Sequence, residues 1–537
     1  MRWWGWGEPA ETPHLPDAGF AMLRSELGLD DRQARRVEIA AVRLPDPRLP
    51  DDVAAKLRGV VGDENVRSDH ETRVFHAAGK SYPDLVRMRS GDGSGAPDAV
   101  LYPGSREEVA RLLEICAEEG VAVVPFGGGT SVVGGVEALR EGFDAAVTID
   151  LERLDSLTTD HRSLIATFGA GLRGPAAEAR LQGRGLTLGH FPQSYEFATI
   201  GGYVATRSAG QASTGYGRID ELVLGLRCAT PVGEVVVKPV PASAAGPKLR
   251  ELIVGSEGTL GVITEATLMV RPLHEARRYE GWSFRSFAEG AEAFRAMEQE
   301  HASPDVARLS DEEETRLAMA LSASGSPVEK IGKAYLRARG HERGCIVIVG
   351  WEGAPADVDA RAARTRAVLR ANGGLSLGAR PGASWLRSRY LGPYLRDELL
   401  DRGVMVETLE TATTWDRIEE LHDAVAAALR EALGARGTPA LVGAHISHLY
   451  PAGASLYFTY MARAQEGEEI DQWRAAKQAA GDAIVAHSGT ITHHHAVGRD
   501  HVPWMRDEVG EVGLEALRAV KERLDPRGVM NPGKLLP

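Results

Sequence analysis

The stretch Pro125-Phe126-Gly127-Gly128-Gly129-Thr130-Ser131-Val132 constrains this chain more than any other. It follows Val121-Ala122-Val123-Val124, a short apolar run that reads as a buried strand. Three glycines in succession admit φ > 0 and leave backbone N–H groups bare, so the loop can close on an anion. Thr130 and Ser131 add hydroxyl donors, and a diphosphate suits the whole. A tight turn between strands suits a lone glycine triplet equally well, so the neighbouring sequence must decide. The loop is not a dinucleotide fingerprint, which needs Gly-x-Gly-x-x-Gly opening a helix and an acidic residue about 20 positions on. Here the glycines run into Val132-Val133-Gly134-Gly135, which starts no helix.

Two later stretches decide it. Residues 190–202 end in Thr199-Ile200-Gly201-Gly202, and residues 257–265 read Glu-Gly-Thr-Leu-Gly-Val-Ile-Thr-Glu. The three stretches, in this order, resemble the PCMH-type FAD-binding domain of the vanillyl-alcohol-oxidase-like flavoproteins. The resemblance implies an α+β fold: a two-subdomain FAD-binding domain plus an α/β cap with an antiparallel sheet and helices. It implies non-covalent FAD, with the glycine loop on the diphosphate. The implied cofactor contacts are Pro125, Gly127, Gly128, Gly129, Thr130, Ser131, Val132, Pro192, Ser194, Thr199, Gly201, Gly202, Arg207, Ser208, Glu257, Gly258, Thr259, Gly261, Val262 and Ile263.

Length and composition narrow the class. The 537 residues suggest two to four domains, and 43% hydrophobic residues can bury a large core. The formal net charge of -13 argues against general nucleic-acid binding. Cys116, Cys228 and Cys345 are far apart, which gives no disulfide framework and no metal-ligand spacing and points to a reducing compartment. No apolar run reaches the length of a membrane span. We read residues 1–96 as a helical lead-in, 97–272 as the FAD-binding domain, 273–475 as the substrate cap, and 476–537 as a segment returning to the FAD domain. Three tryptophans crowd the first seven residues, and packing against the protein body is the favoured reading over a lipid interface.

The cap points to the reaction. FAD-dependent D-lactate and glycolate dehydrogenases carry His-x-Gly-Asp-Gly-Asn-Leu-His and Glu-His-Gly-x-Gly patterns. At the corresponding places this chain has Ala452-Gly453-Ala454, Tyr457 and His494. A 2-hydroxy-acid dehydrogenase, the alternative reading, would thus lack its usual acid and histidine. Residues 488–495 read Ser-Gly-Thr-Ile-Thr-His-His-His. With the tryptophan-glycine start, Gly189-His190, Ala307-Arg308-Leu309 and Tyr394-Leu395-Arg396-Asp397, this resembles the alkyldihydroxyacetonephosphate synthases of ether-lipid synthesis.

That resemblance implies exchange of the acyl chain of acyl-dihydroxyacetone phosphate for a long-chain fatty alcohol, with FAD as a covalent carrier and no net redox. It implies catalytic roles for Tyr457, His493, His494, His495, Arg396, Arg308 and His190: the tyrosine takes the alcohol's proton, and the arginines suit a phosphate. It also implies a homodimer. Lipid-soluble substrates suggest peripheral membrane contact. The missing targeting extension suggests a bacterial, cytoplasmic member. Three adjacent histidines could hold a metal, but on an extended chain only His493 and His495 would share a side, and no metal is expected. Cations near Tyr457 are expected to favour its phenolate.

Overall fold

In this computed structural model, residues 1–8, 15–30, 34, 36–321 and 327–537 are described. Two sheets build the flavin-type half. The first has the order Val66–Arg67, Ala99–Leu101, Ala145–Asp150, Val121–Phe126, and its last three strands run parallel. Parallel strands are buried on both faces, which is why Val121–Val124 is apolar without alternation. The helix Arg106–Glu119 packs on this sheet; Ser105 caps it by accepting from the Glu108 N–H at 3.1 Å, and Gly120 ends it at φ 67°. The open edge of Val121–Phe126 is covered by the C-terminal segment: Val123 donates to Val529 O and Asn531 donates to Val123 O, each at 2.8 Å. The second sheet is antiparallel, in the order Leu157–Asp160, Ile165–Gly169, Val262–Met269, Val223–Thr230, Gly233–Val237.

The cap is one seven-stranded antiparallel sheet: Leu375–Gly378, Ala276–Phe284, Cys345–Gly353, Val306–Ser310, Leu441–Tyr450, Gly453–Arg463, Val404–Thr414. The helices Phe287–Gln299, Pro355–Ala371, Ile418–Ala435 and Glu469–Ala486 bury one face over a core that includes Trp282, Phe294, Trp351, Leu429 and Phe458. Strand alternation sends Leu456, Phe458 and Tyr460 into that core and Tyr457 and Thr459 toward the flavin half.

Two boundaries differ from the sequence reading. The lead-in is not only helical, because Val66–Arg67 joins the first sheet and Asp51–Val61 packs on Arg106–Glu119. The helix Glu469–Ala486 crosses residue 475 and packs on Ile418–Ala435, so the chain leaves the cap only after it. The N-terminal tryptophans pack on the body. Arg36 lies 3.5 Å over the Trp4 ring, and Trp6 is buried edge-on against Phe197.

Candidate active site

A cavity of about 450 Å³ lies between the flavin half and the bare face of the cap sheet. On one side the glycine loop lies flush on the chain before Thr-Ile-Gly-Gly. A Cβ on Gly127 would stand 2.3 Å from Thr199 Oγ1, and one on Gly128 2.1 Å from Phe197 O; Gly129 sits at φ 63°. The first two positions therefore admit no side chain, and the third is strained for one. Among the described residues, no acceptor within the chain takes the backbone N–H of Gly127 through Val132. Such a row of free donors at the mouth of a buried strand fits a diphosphate.

Of the expected cofactor contacts, Pro125, Gly127, Gly128, Gly129, Thr130, Ser131, Val132, Pro192, Ser194, Thr199, Gly201, Gly202, Ser208, Glu257, Gly258, Gly261 and Ile263 line the cavity. Three do not. Arg207 turns its guanidinium outward to Val254 O (3.0 Å) and to Glu251. Thr259 donates its hydroxyl to Ser256 O at 2.7 Å. Val262 points into the core, because its strand alternates and its neighbours Gly261 and Ile263 face the cavity. His190 also stays off the cavity. It is buried behind Ser208, with Nε2 2.7 Å from the Ser208 hydroxyl, and burial lowers its pKa to about 3. The turn that carries it is fixed by the Glu178 carboxylate, which accepts from Leu188 N, Gly189 N and the Thr187 hydroxyl.

The cap face brings a row together. Ser310, His445, Tyr457 and Glu410 stand opposite one another on four adjacent strands. Arg308 donates to His445 Nε2 (3.0 Å) and to Glu314 Oε1 (2.9 Å), and His445 Nδ1 lies 2.9 Å from the same carboxylate oxygen. Burial would raise Glu314, but Arg308 and His445 outweigh it and hold it at about 2. The charge of Arg308 is thus compensated inside the protein. Arg396 differs. It lines the cavity, Nη1 donates to Lys80 O at 2.8 Å, and its buried Nε has no partner among the described residues. Beside it the buried Lys80 ammonium donates to Arg2 O (3.1 Å) and Trp3 O (3.2 Å), and burial lowers its pKa to about 8.

The triple histidine is not extended. It curls around Glu410, a fully buried carboxylate that accepts from the backbone N–H groups of His493 (2.6 Å), His494 (2.9 Å) and His495 (2.8 Å) and from the Thr492 hydroxyl (2.8 Å). The face rule for strands therefore does not apply, and His494 and His495 both reach the cavity beside Tyr457. His493 turns away: Nδ1 is 3.0 Å from His494 Nδ1, and Nε2 is 2.6 Å from the Tyr450 hydroxyl. Nitrogens of His448, His493 and His494 converge within 4.8 Å, but both nitrogens of His493 are already engaged in those two bonds. A second carboxylate, Glu257, clamps the far end of the loop by accepting from Val497 N (2.8 Å) and Gly498 N (2.7 Å).

Burial lowers the pKa of His494 and brings His495 to about 3, so both are neutral at pH 7. Burial raises Tyr457 to about 12; the Thr408 side chain opposes this, while Glu407 and Glu410 add to it. The expected phenolate is therefore overturned. The carboxylates around the phenol, not cations, dominate its charged surroundings.

Residues 97–237 match the FAD binding domain family, and residues 273–535 match the FAD linked oxidases, C-terminal domain. The alkyldihydroxyacetonephosphate synthase of Dictyostelium discoideum is 32% identical over 100% of this chain and 93% of its own. That of Trypanosoma brucei brucei is 36% identical over 93% and 83%. A solved alkyldihydroxyacetonephosphate synthase structure superposes with a TM-score of 0.87 at 30% identity, covering 100% of this chain and 99% of that one. This chain belongs to the alkyldihydroxyacetonephosphate synthase family. As a member of that family it is a flavin-dependent enzyme with FAD as cofactor, and the bare glycine-loop donors fit that group.

Sequence reading of this synthase-family chain missed Glu410, Glu314, His445 and Lys80. The signal for His445 was present in Ala444-His445-Ile446-Ser447, where polar residues alternate with apolar ones. The signal for Glu410 was a carboxylate inside an otherwise strand-like run, Val404-Met405-Val406-Glu407-Thr408-Leu409-Glu410.

Proposed function

We propose that this chain forms the ether bond of alkyl-dihydroxyacetone phosphate, exchanging the acyl chain of acyl-dihydroxyacetone phosphate for a fatty alcohol with no net redox. The observation that carries this reading is the cap face. A protonated phenol and two neutral imidazoles stand at the cavity where a hydroxy-acid dehydrogenase of this superfamily would need its acid and histidine. When bound, FAD supplies a ring that can carry a substrate carbon without net oxidation.

The chain's own residues do the rest. Arg396, with its unpartnered Nε, and the Lys80 ammonium hold the phosphate; Arg308 instead keeps His445 and Glu314 in place. Neutral His494 and His495 accept protons from the substrate carbon and the incoming alcohol. Tyr457, which keeps its proton, relays by giving that proton to an imidazole as it receives the alcohol's. His190 acts through Ser208, holding that hydroxyl on the cavity wall. Among the described residues no helix is long and apolar enough to cross a membrane. Lipid-soluble substrates favour peripheral attachment to a membrane surface, and we place the enzyme in the cytoplasm as a homodimer. Vesicle flotation and light scattering check these two points.

The test is anaerobic incubation with palmitoyl-dihydroxyacetone phosphate and hexadecanol, with products read by mass spectrometry. The alkyl ether and palmitate should appear together without an electron acceptor. D-lactate should neither bleach the flavin nor reduce a dye; dye reduction without ether would establish the dehydrogenase instead.

A further inference from the structure

One buried charge faces the proton-handling groups of the cap, and the proposed reaction does not yet use it. Glu410 comes from the edge strand Val404–Thr414 of the cap sheet. Its side chain projects under the 491–498 loop and does not line the cavity. It accepts four hydrogen bonds, three of them from consecutive backbone N–H groups. Those bonds hold the loop in its curl. The Nδ1 atoms of His493, His494 and His495 lie 3.9, 3.5 and 4.0 Å from it. Glu410 also stands directly opposite Tyr457 across the strand pair.

From this geometry we infer that Glu410 is the positioning residue of the reaction: it sets the orientation of the three imidazoles and supplies the negative charge against which His494 and His495 take up a proton. The inference rests on the proposed ether synthesis for the identity of the reaction, but not for the arrangement itself. Rotamer freedom of neighbouring histidines on a loop is large, and a base misplaced by about 1 Å loses much of its effect. The nest of N–H groups around one carboxylate removes that freedom. An imidazole buried without a counter-charge is also a poor base, because burial penalises its cation. A carboxylate 3.5–4.0 Å from each Nδ1 opposes that penalty directly. Burial chiefly raises Tyr457, and Glu407 and then Glu410 add to it, so the phenol stays protonated and the imidazoles become the acceptors.

Other groups face the same loop. Arg218 and Lys477 lower the histidines, while His190 and His448 stand against His494 and Tyr450 bonds His493. None of the cations can replace Glu410, since each opposes imidazolium formation.

The test is Glu410→Gln beside Glu410→Asp, compared with wild type in the ether-forming assay and by histidine-selective ¹⁵N NMR. Glu410→Gln keeps the shape and removes the charge. We expect kcat to fall by about 100-fold, the usual share of a well-placed acid or base, with KM and FAD content within about threefold of wild type. Glu410→Asp keeps the charge on a shorter arm and should recover about tenfold of that loss, leaving kcat about tenfold below wild type. In the spectra, the fixed tautomers of His493–His495 should give way to averaged signals in Glu410→Gln, whatever reaction the protein performs. Absence of ether from the wild type, with the tautomer change still seen, would count against the synthase reading and not against the positioning role. Wild-type kcat in Glu410→Gln, unchanged imidazole signals, or Glu410→Asp no better than Glu410→Gln would overturn the inference. Should Glu410→Gln not fold, Glu410→Asp decides alone: a fall in kcat at unchanged KM supports the role, and unchanged kcat refutes it.

Discussion

The glycine loop and the histidine loop face each other across one cavity, yet they are built by opposite means. The loop at Gly127–Val132 is made by what its residues lack. Its shape follows from missing side chains, its donors are its own backbone N–H groups, and its nearest support is Phe197–Thr199 in the same half. The loop at His493–His495 is made by residues from elsewhere. Glu410 reaches it from 83 to 85 positions away and Glu257 from 240 or 241. On the proposed reaction the first loop binds and the second reacts. A binding loop can therefore be written locally, whereas neutral imidazoles at fixed angles need a buried charge that only the tertiary fold can bring.

The contrast is broken most severely at Gly128. A Cβ there would meet Phe197 O, a backbone atom that cannot swing aside. Gly128→Ala should fold and lose its flavin, seen as loss of 450 nm absorbance after gel filtration. A yellow Gly128→Ala protein would mean that the loop does not need its bareness.

A second, smaller effect comes from the histidines that burial keeps neutral. His190 has a folded pKa of about 3 against an ordinary 6.5. Below pH 6.5 the unfolded chain takes up a proton that the folded protein refuses, so stability falls as pH drops from about 6.5 toward 3. Gln at position 190 can still bond Ser208 but does not titrate. His190→Gln should therefore lose less melting temperature than wild type between pH 6.5 and pH 4. Parallel melting curves would show that burial of this ring costs nothing.

The smallest effect lies on the other face of the strand that carries Tyr457. Tyr460 is buried in the helix-covered core, and its hydroxyl has no partner among the described residues. Tyr460→Phe removes an unsatisfied polar atom and should raise stability by about 1 kcal/mol with activity unchanged. A loss of activity would mean that the two faces of the strand are not separate.

Much of this was legible in the sequence, and the reason is local. The buried parallel strand before the glycine loop, the Ser105 cap, the Gly120 stop and the cap strand at Cys345 all follow from neighbouring residues. The triple histidine and Tyr457 were visible as motifs. Their chemistry was not. An extended reading put His493 and His495 on one side, but the loop curls round a carboxylate that no local pattern announces. The phenolate expectation placed cations near Tyr457, whereas its cross-strand partner is Glu410. Arg207, Thr259 and Val262 share motifs with residues that line the cavity but turn their side chains to the scaffold, because a motif records a fold's needs together with a ligand's. Arg308 and Arg396 look alike in sequence; only the structure shows one paired with Glu314 and the other with a bare Nε.

On the proposed mechanism the cap face carries the reaction through a protonated Tyr457 that relays to neutral histidines. Tyr457→Phe tests it most directly, since the ring and its packing against His445 remain and only the oxygen goes. Single-turnover ether formation should fall by about 100-fold, with FAD content and KM for the acyl substrate close to wild type. Turnover at the wild-type rate would contradict the claim and remove the phenol from the path of the proton.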